Sequence, residues 1–215
     1  MEQRPLFANL PIIPATEGIA YYHKHAVFSS CGAYRWVLLR RWDSAIGRLP
    51  RVLWIALNPS TASGEEDDPT LRQIVSFSKR EGFGSLMLCN LFAFCSTDPK
   101  ALNEDAIDCI GDLCDAYLYS SAALCDAVIV AWGTNVEGYE ERAKAIVSRL
   151  SKTQKVYCLG KTKDGFPKHP LYLPKDAPLR IFARPKAKCL SATVESVGRK
   201  YIQKISRRIR YSIRK

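Results

Sequence analysis

Four short apolar runs recur along the chain: residues 52–57 (Val-Leu-Trp-Ile-Ala-Leu), 86–89 (Leu-Met-Leu-Cys), 127–130 (Ala-Val-Ile-Val) and 156–159 (Val-Tyr-Cys-Leu). A strand covered on both faces reads as a continuous apolar run, whereas one with a wet face alternates. Between the runs lie stretches with helical spacing: 70–80, opened by Asp68-Pro69, then about 105–124, and 137–150. Strands alternating with helices predict a three-layer α/β/α domain around a central, mainly parallel four-stranded sheet. Residues 34–41 read as a further strand, 1–30 as irregular chain with Pro5, Pro11 and Pro14, and 161–174 as a polar loop.

A length of 215 residues suits one domain with an appendage. Charge marks where the appendage begins. Of 32 Lys and Arg, eleven fall between Arg184 and Lys215 beside a single acid, Glu195, while the rest of the chain is nearly neutral. The expected division is a domain over 1–183 and a basic extension over 184–215. Ile202, Ile205, Ile209 and Ile213 give that extension one apolar stripe on a cationic helix. Concentrated positive charge favours a polyanion, most commonly nucleic acid, although a solubilising tail reads the same way. No apolar stretch approaches the roughly 20 residues that span a bilayer, so no membrane partner is expected. The residues from Met1 to Pro5 lack the plan of a signal peptide, and a cytoplasmic protein is expected. The eight cysteines are scattered without a Cys-x-x-Cys pair. They read as reduced core thiols, with no metal and no cofactor.

Polar residues follow the apolar runs. In an open α/β sheet, ligands bind outside the carboxyl ends of the strands. Asn58-Pro59-Ser60-Thr61 follows the first run, Asn90 the second and Ala131-Trp132-Gly133 the third; His169-Pro170 comes in the loop after the fourth. Asn58 can hold a water or polarise a carbonyl, or serve only as a turn before proline. The acids Glu65, Glu66, Asp67 and Asp68 offer carboxylates for water activation or for a developing cation; equally, they form a solvated face with Asp68 as helix cap. Asn90 carries a donor and an acceptor that suit the edge of a pyrimidine, or it is a structural loop residue. His169 lies in a loop, where histidine more often serves function than packing. The chain has no Walker loop, G-x-G-x-x-G fingerprint or His-Glu-x-x-His motif.

The words Leu57-Asn58-Pro59-Ser60-Thr61-Ala62, Asp67-Asp68-Pro69-Thr70-Leu71-Arg72, Asn90-Leu91-Phe92-Ala93, Thr97-Asp98-Pro99, Ala131-Trp132-Gly133 and Lys168-His169-Pro170-Leu171-Tyr172-Leu173 closely resemble a bacterial and phage family. It is known as domain of unknown function 1643, and the resemblance covers about residues 26–175. The same order is similar to the uracil-DNA glycosylase superfamily, in which a water-positioning Asn-Pro or Asp-Pro, a base-reading Asn and a His-Pro-Ser loop follow successive strands. That likeness implies a uracil-DNA glycosylase-like fold. It also implies a monofunctional DNA glycosylase that hydrolyses the N-glycosidic bond of a flipped base. In this reading Asn58, Asp68 and His169 are catalytic, with Asn58 and Asp68 placing water and His169 stabilising the departing base. Asn90 reads the base and Phe92 stacks on it. Lys163, Lys168, Leu171, Tyr172, Arg207 and Arg208 contact DNA, Leu171 or Tyr172 filling the gap in the duplex.

Departures from the pattern sharpen the expectation. Ala56 replaces a glycine, and Leu171 a serine. Ser60 stands where uracil-selective members carry a bulky tyrosine that excludes 5-substituents. The implied substrate is therefore a modified, 5-substituted pyrimidine in DNA, duplex or single-stranded, acted on by a monomer in antiviral defence or base-excision repair. The competing readings are an inactive nucleic-acid-binding member of the same fold and a hydrolase of free modified nucleotides.

Overall fold

Every one of the four apolar runs forms a strand, and the four lie side by side in one sheet. The computed structural model describes residues 23–44, 49–60, 62, 64–98, 102, 108–135 and 139–185. Its strands are β1 (His23–Phe28), β2 (Arg35–Arg41), β3 (Arg51–Ala56), β4 (Ser85–Asn90), β5 (Ala127–Val130), β6 (Val156–Cys158) and β7 (Arg180–Ala183). The helices are α1 (Pro69–Arg80), α2 (Cys114–Leu124) and α3 (Glu140–Leu150), and a single 3-10 turn covers Pro170–Tyr172.

The sheet runs β1-β2-β4-β3-β5-β6-β7. Its centre, β4-β3-β5-β6, pairs in parallel, with Ala56 opposite Asn90 and Ile55 opposite Val130. The three remaining pairings, β1 with β2, β2 with β4 and β6 with β7, are antiparallel. The fold is thus a mixed α/β sheet of seven strands, which corrects the expected four. Strands β1 and β7 were not expected, and β1 falls within a stretch read as irregular. Both lie at the sheet's edges, where one partner and one covered face suffice and the sequence needs no apolar run.

The central strands alternate between two cores. Leu53 and Ile55 of β3, Met87 and Cys89 of β4, and Val128 and Val130 of β5 pack with Leu118 and Ala122 of α2 and Ile146 and Leu150 of α3. Val52 and Trp54 of β3, Leu86 and Leu88 of β4 and Ile129 of β5 pack with Leu71, Ile74, Val75 and Phe77 of α1. Helix α1 therefore covers one face, with α2 and α3 on the other. The connection from β3 to β4 runs one way along the sheet, and those from β4 to β5 and β5 to β6 run the other. Right-handed crossovers then require opposite faces for α1 and the later helices.

Local signals place the helix ends. Asp68 caps α1 by accepting from Leu71 N at 2.7 Å, with Pro69 in the first turn and Lys79 and Arg80 in the last. Helix α2 begins at Cys114 rather than near 105. Gly111 before it is left-handed, at φ 75°, and the Asp108 side chain accepts from the N–H groups of Ile110 and Gly111 in a turn. The basic extension expected over 184–215 lies, beyond Pro185, outside the described residues, as do Arg207 and Arg208.

One buried polar relay joins sheet to helix. Trp54 Nε1 donates to Ser78 Oγ at 2.9 Å, and that hydroxyl donates to Ile74 O at 2.7 Å, all three residues fully buried. Ser78→Ala strands the indole N–H in an apolar core. The expected loss is about 1–3 kcal/mol, seen as a lower urea midpoint at unchanged slope.

Candidate functional site

The loops after β3, β4 and β5 leave the sheet at one edge and diverge. The loop after β3 turns toward the face covered by α1, and those after β4 and β5 turn toward α2 and α3. In open α/β sheets such a divergence at the strands' carboxyl ends is where a binding crevice forms. Strand β2 runs antiparallel to β4, so its first residue, Arg35, reaches the same edge, where Arg35 N donates to Ala93 O at 2.9 Å.

Asn58 is half-buried and works as a clasp. Its Nδ2 donates to Pro59 O at 3.0 Å and to Ser96 O at 2.8 Å, tying the loop after β3 to the loop after β4. Ser96 N donates back to Pro59 O. The Asn58 amide is thereby oriented through its nitrogen. Asn90, at the end of β4, is 3% exposed. Its Oδ1 accepts from Arg35 Nη2 at 3.4 Å, while its Nδ2 is buried without a protein partner. A guanidinium only donates, so Arg35 fixes which half of the Asn90 amide it faces. Arg35 Nη1 also donates to Ala62 O at 2.7 Å, which brings the loop after β3 over it.

Asp68 caps α1 through Leu71 N and is half-buried. Its charge acts on both Arg35 and His169. His169 packs against the residue that follows the Ala131-Trp132 step. Gly133 has φ 77°, and a Cβ added there would come within 3.2 Å of His169 Cβ. Gly133 N donates to Pro167 O, and Lys168 N to Gly160 O, which fixes the approach to His169. From the other side, Arg80 of α1 donates to Lys175 O and Ala177 O, latching the chain beyond the 3-10 turn. Burial holds the His169 imidazole below its ordinary pKa of 6.5, and Asp68 pulls weakly the other way. Burial therefore favours the neutral imidazole. His169 Nδ1 and Trp132 Nε1 are both buried without a protein partner.

The structure brings Asn90 into contact with Arg35, sets Asp68 where its charge acts on Arg35 and His169, ties Asn58 to the loop after β4, and sets His169 against Gly133 beyond β5. Ser60 is exposed on the loop after β3. Lys163 is exposed in the turn closed by Gly165 N and Thr162 O, and Lys168 is exposed alongside Gly160. Leu171 is half-buried, whereas Tyr172 is 82% exposed, its ring 5.6 Å from that of His169. Phe92 requires a correction. It is fully buried, edge-on to Tyr139 at 4.6 Å with Arg142 over its ring, and offers no face to a ligand. Arg35 and the Trp132 indole were missed as functional groups. Tryptophan already stood in the motif Ala131-Trp132-Gly133, but nothing in the sequence distinguishes Arg35 from an ordinary strand-end charge.

Among the described residues, no three His, Cys, Asp or Glu side chains converge to hold a metal, and no helix is long and apolar enough to cross a membrane. The described thiols differ in kind. Burial pushes Cys89 up to about 12 and Cys114 to about 11. Cys31, at the turn between β1 and β2, is exposed, and contact with Ser29 Oγ at 3.2 Å lowers its pKa.

Two outcomes follow for the loop histidine. Gly133→Ala should cost about 1–2 kcal/mol, because its left-handed backbone is strained for any residue with a Cβ, and should displace His169, visible as a changed imidazole NMR signal. The unfolded chain takes up a proton on histidine before folded His169 does, so stability should fall as pH drops below about 6.5. His169→Gln should reduce the difference between urea midpoints at pH 7 and pH 5.

None of the curated proteins and none of the solved structures compared with the chain matches it. The model of one protein family matches residues 35–171, which hold every strand from β2 to β6 and the whole set from Asn58 to His169. The chain belongs to the family described as Protein of unknown function (DUF1643).

Proposed function

We propose that the protein is a monofunctional DNA glycosylase of the uracil-DNA glycosylase-like type, acting on a 5-substituted pyrimidine. One observation carries the reading most: Arg35 Nε, Asn90 Nδ2, Trp132 Nε1 and His169 Nδ1 are buried polar atoms without a protein partner, on residues at or beyond the carboxyl ends of the parallel strands, although His23 Nε2 and Arg41 Nε at the opposite end of the sheet are unmatched in the same way. Buried polar atoms are rarely left unpaired in a native fold, and a polar, planar ligand such as a nucleobase supplies such partners.

In this mechanism the basic extension and the exposed Lys163 and Lys168 hold phosphates, and a nucleotide swings out of the stack into the crevice. Tyr172, the most exposed aromatic of the loop, fills the gap it leaves. Asn90 Nδ2 meets an acceptor on the base. As the bond between C1′ and N1 breaks, its electron pair leaves with the base and the sugar becomes cationic. Asn58 Oδ1 orients a water whose oxygen bonds to C1′, and Asp68 stabilises the sugar's positive charge. The proton lost by that water ends on the released base. Neutral His169 donates a hydrogen bond toward the base as negative charge builds. The small, exposed Ser60 leaves room for a 5-substituent.

The test incubates the full chain with DNAs containing uracil, mismatches or 5-modified pyrimidines, then heats them in alkali to cut at abasic sites. At least one modified pyrimidine should be released. Asn58→Ala and His169→Ala should each slow release by about 100-fold or more while the protein stays folded, and Asn58→Asp, which keeps the side chain's size, separates lost clasping from lost chemistry. Removing 184–215 should weaken activity on DNA and flatten its salt dependence. Intact strands from every substrate, with tight binding retained, would overturn the reading in favour of an inactive binder.

A further inference from the structure

Strand β2 carries two fully or almost fully buried arginines, and the protein treats them differently. Arg40, with no exposed surface, donates from Nε to Asp67 Oδ1 at 2.8 Å in an ion pair, and to the carbonyls of Leu39 and Glu66. Arg35 is 3% exposed, but its contacts are the neutral oxygens of Ala62 and Asn90. No carboxylate touches it among the described residues. Its Nε has no protein partner at all. Burying a cation that no carboxylate touches is costly, and the Asp68 charge offsets that cost only without contact, so Arg35 keeps donor capacity for an anion. Burial lowers its pKa to about 10, which leaves it fully protonated at neutral pH.

We propose that Arg35 is the receptor for the negative charge that appears on the departing base, acting directly and through the Asn90 amide it orients. The inference rests on the glycosylase reading above. The breaking C1′–N1 bond delivers its electron pair to the base, where it spreads over the ring nitrogen and the adjoining carbonyl oxygens. Arg35 Nε and Asn90 Nδ2 are unmatched donors on two residues in contact, and Arg35 holds Asn90 Oδ1 so that Nδ2 is the half left to present. A pair that only donates favours the anion over the neutral base, and so helps the transition state more than the bound substrate.

The test compares Arg35→Met, Arg35→Lys and Arg40→Met in the full chain. Arg40→Met removes the cation facing Asp67 and should lower the melting temperature markedly. Arg35→Met removes a charge that no carboxylate touches and should lower it far less, while cutting base release about 100-fold. The loss should be greatest for uracil and several-fold smaller for 5-fluorouracil in the same DNA, since the fluorinated base leaves as a more stable anion. Arg35→Lys keeps the charge without the fork and should recover part of the rate. An equal loss for both bases, or Arg35→Met as unstable as Arg40→Met, would overturn the proposal and make Arg35 structural. A second arm needs no turnover: 5-nitrouracil, a readily ionised free base, is titrated by NMR across its own ionisation. Its anion should bind the parent protein at least tenfold more tightly than the neutral form, and Arg35→Met should abolish that preference. If no DNA loses a base yet this preference holds, the glycosylase reading falls and the anion receptor stands. Absence of the preference in the parent protein would overturn the receptor whatever the DNA assay gives.

Discussion

Strand β3 is covered on both faces, and most of the architecture follows from that condition. Leu53 and Ile55 need one apolar layer, Val52 and Trp54 another, and a single helix cannot supply both. The chain answers by sending α1 across one face and α2 across the other, reversing direction along the sheet at β4. That reversal parts the loops at the strand's carboxyl end. The crevice is thus a by-product of burying the central strand, and the polar residues after each strand inherit their positions from it.

What the fold then does with polar groups separates scaffold from site. The Trp54–Ser78–Ile74 relay is fully paired inside the core, and Arg40 has its carboxylate. Asn58 is half committed, with one end of its amide clasping two loops. Arg35, Asn90, Trp132 and His169 retain buried atoms that nothing in the protein satisfies. Stability alone would select against that pattern, because each unmet donor carries a desolvation cost. Four such atoms at the carboxyl ends of the strands are the donors and acceptors that a preorganised binding surface would offer a ligand.

The sequence made the centre of the sheet legible and left its margins dark. Strands β3, β4, β5 and β6 announce themselves because burial on two faces demands unbroken apolar runs. His23–Phe28 and Arg180–Ala183 carry no such signature, since an edge strand needs only one neighbour. The Asn58, Asn90 and His169 positions were readable because the end of a strand is readable. Phe92 was misjudged for a related reason: position along the chain does not say to which side a residue turns on leaving a strand, and this one turns into the core beside Tyr139. Arg35 was invisible because its burial depends on Ala62 and Asn90, 27 and 55 residues away. Long-range coverage of that kind has no local pattern.

The turn between β1 and β2 has a practical consequence. Cys31 is the single exposed thiol among the described cysteines, with its ionisation eased by Ser29, while burial disfavours the thiolate at Cys89 and Cys114. Two residues along, Ala33 O accepts from Cys95 N, next to the Ser96 carbonyl that clasps Asn58. A fluorophore coupled at Cys31 would therefore stand on the rim of the crevice without disturbing its polar lining. The fold supplies an attachment point for watching occupancy optically, at a thiol whose reactivity sets it apart from those buried in the core.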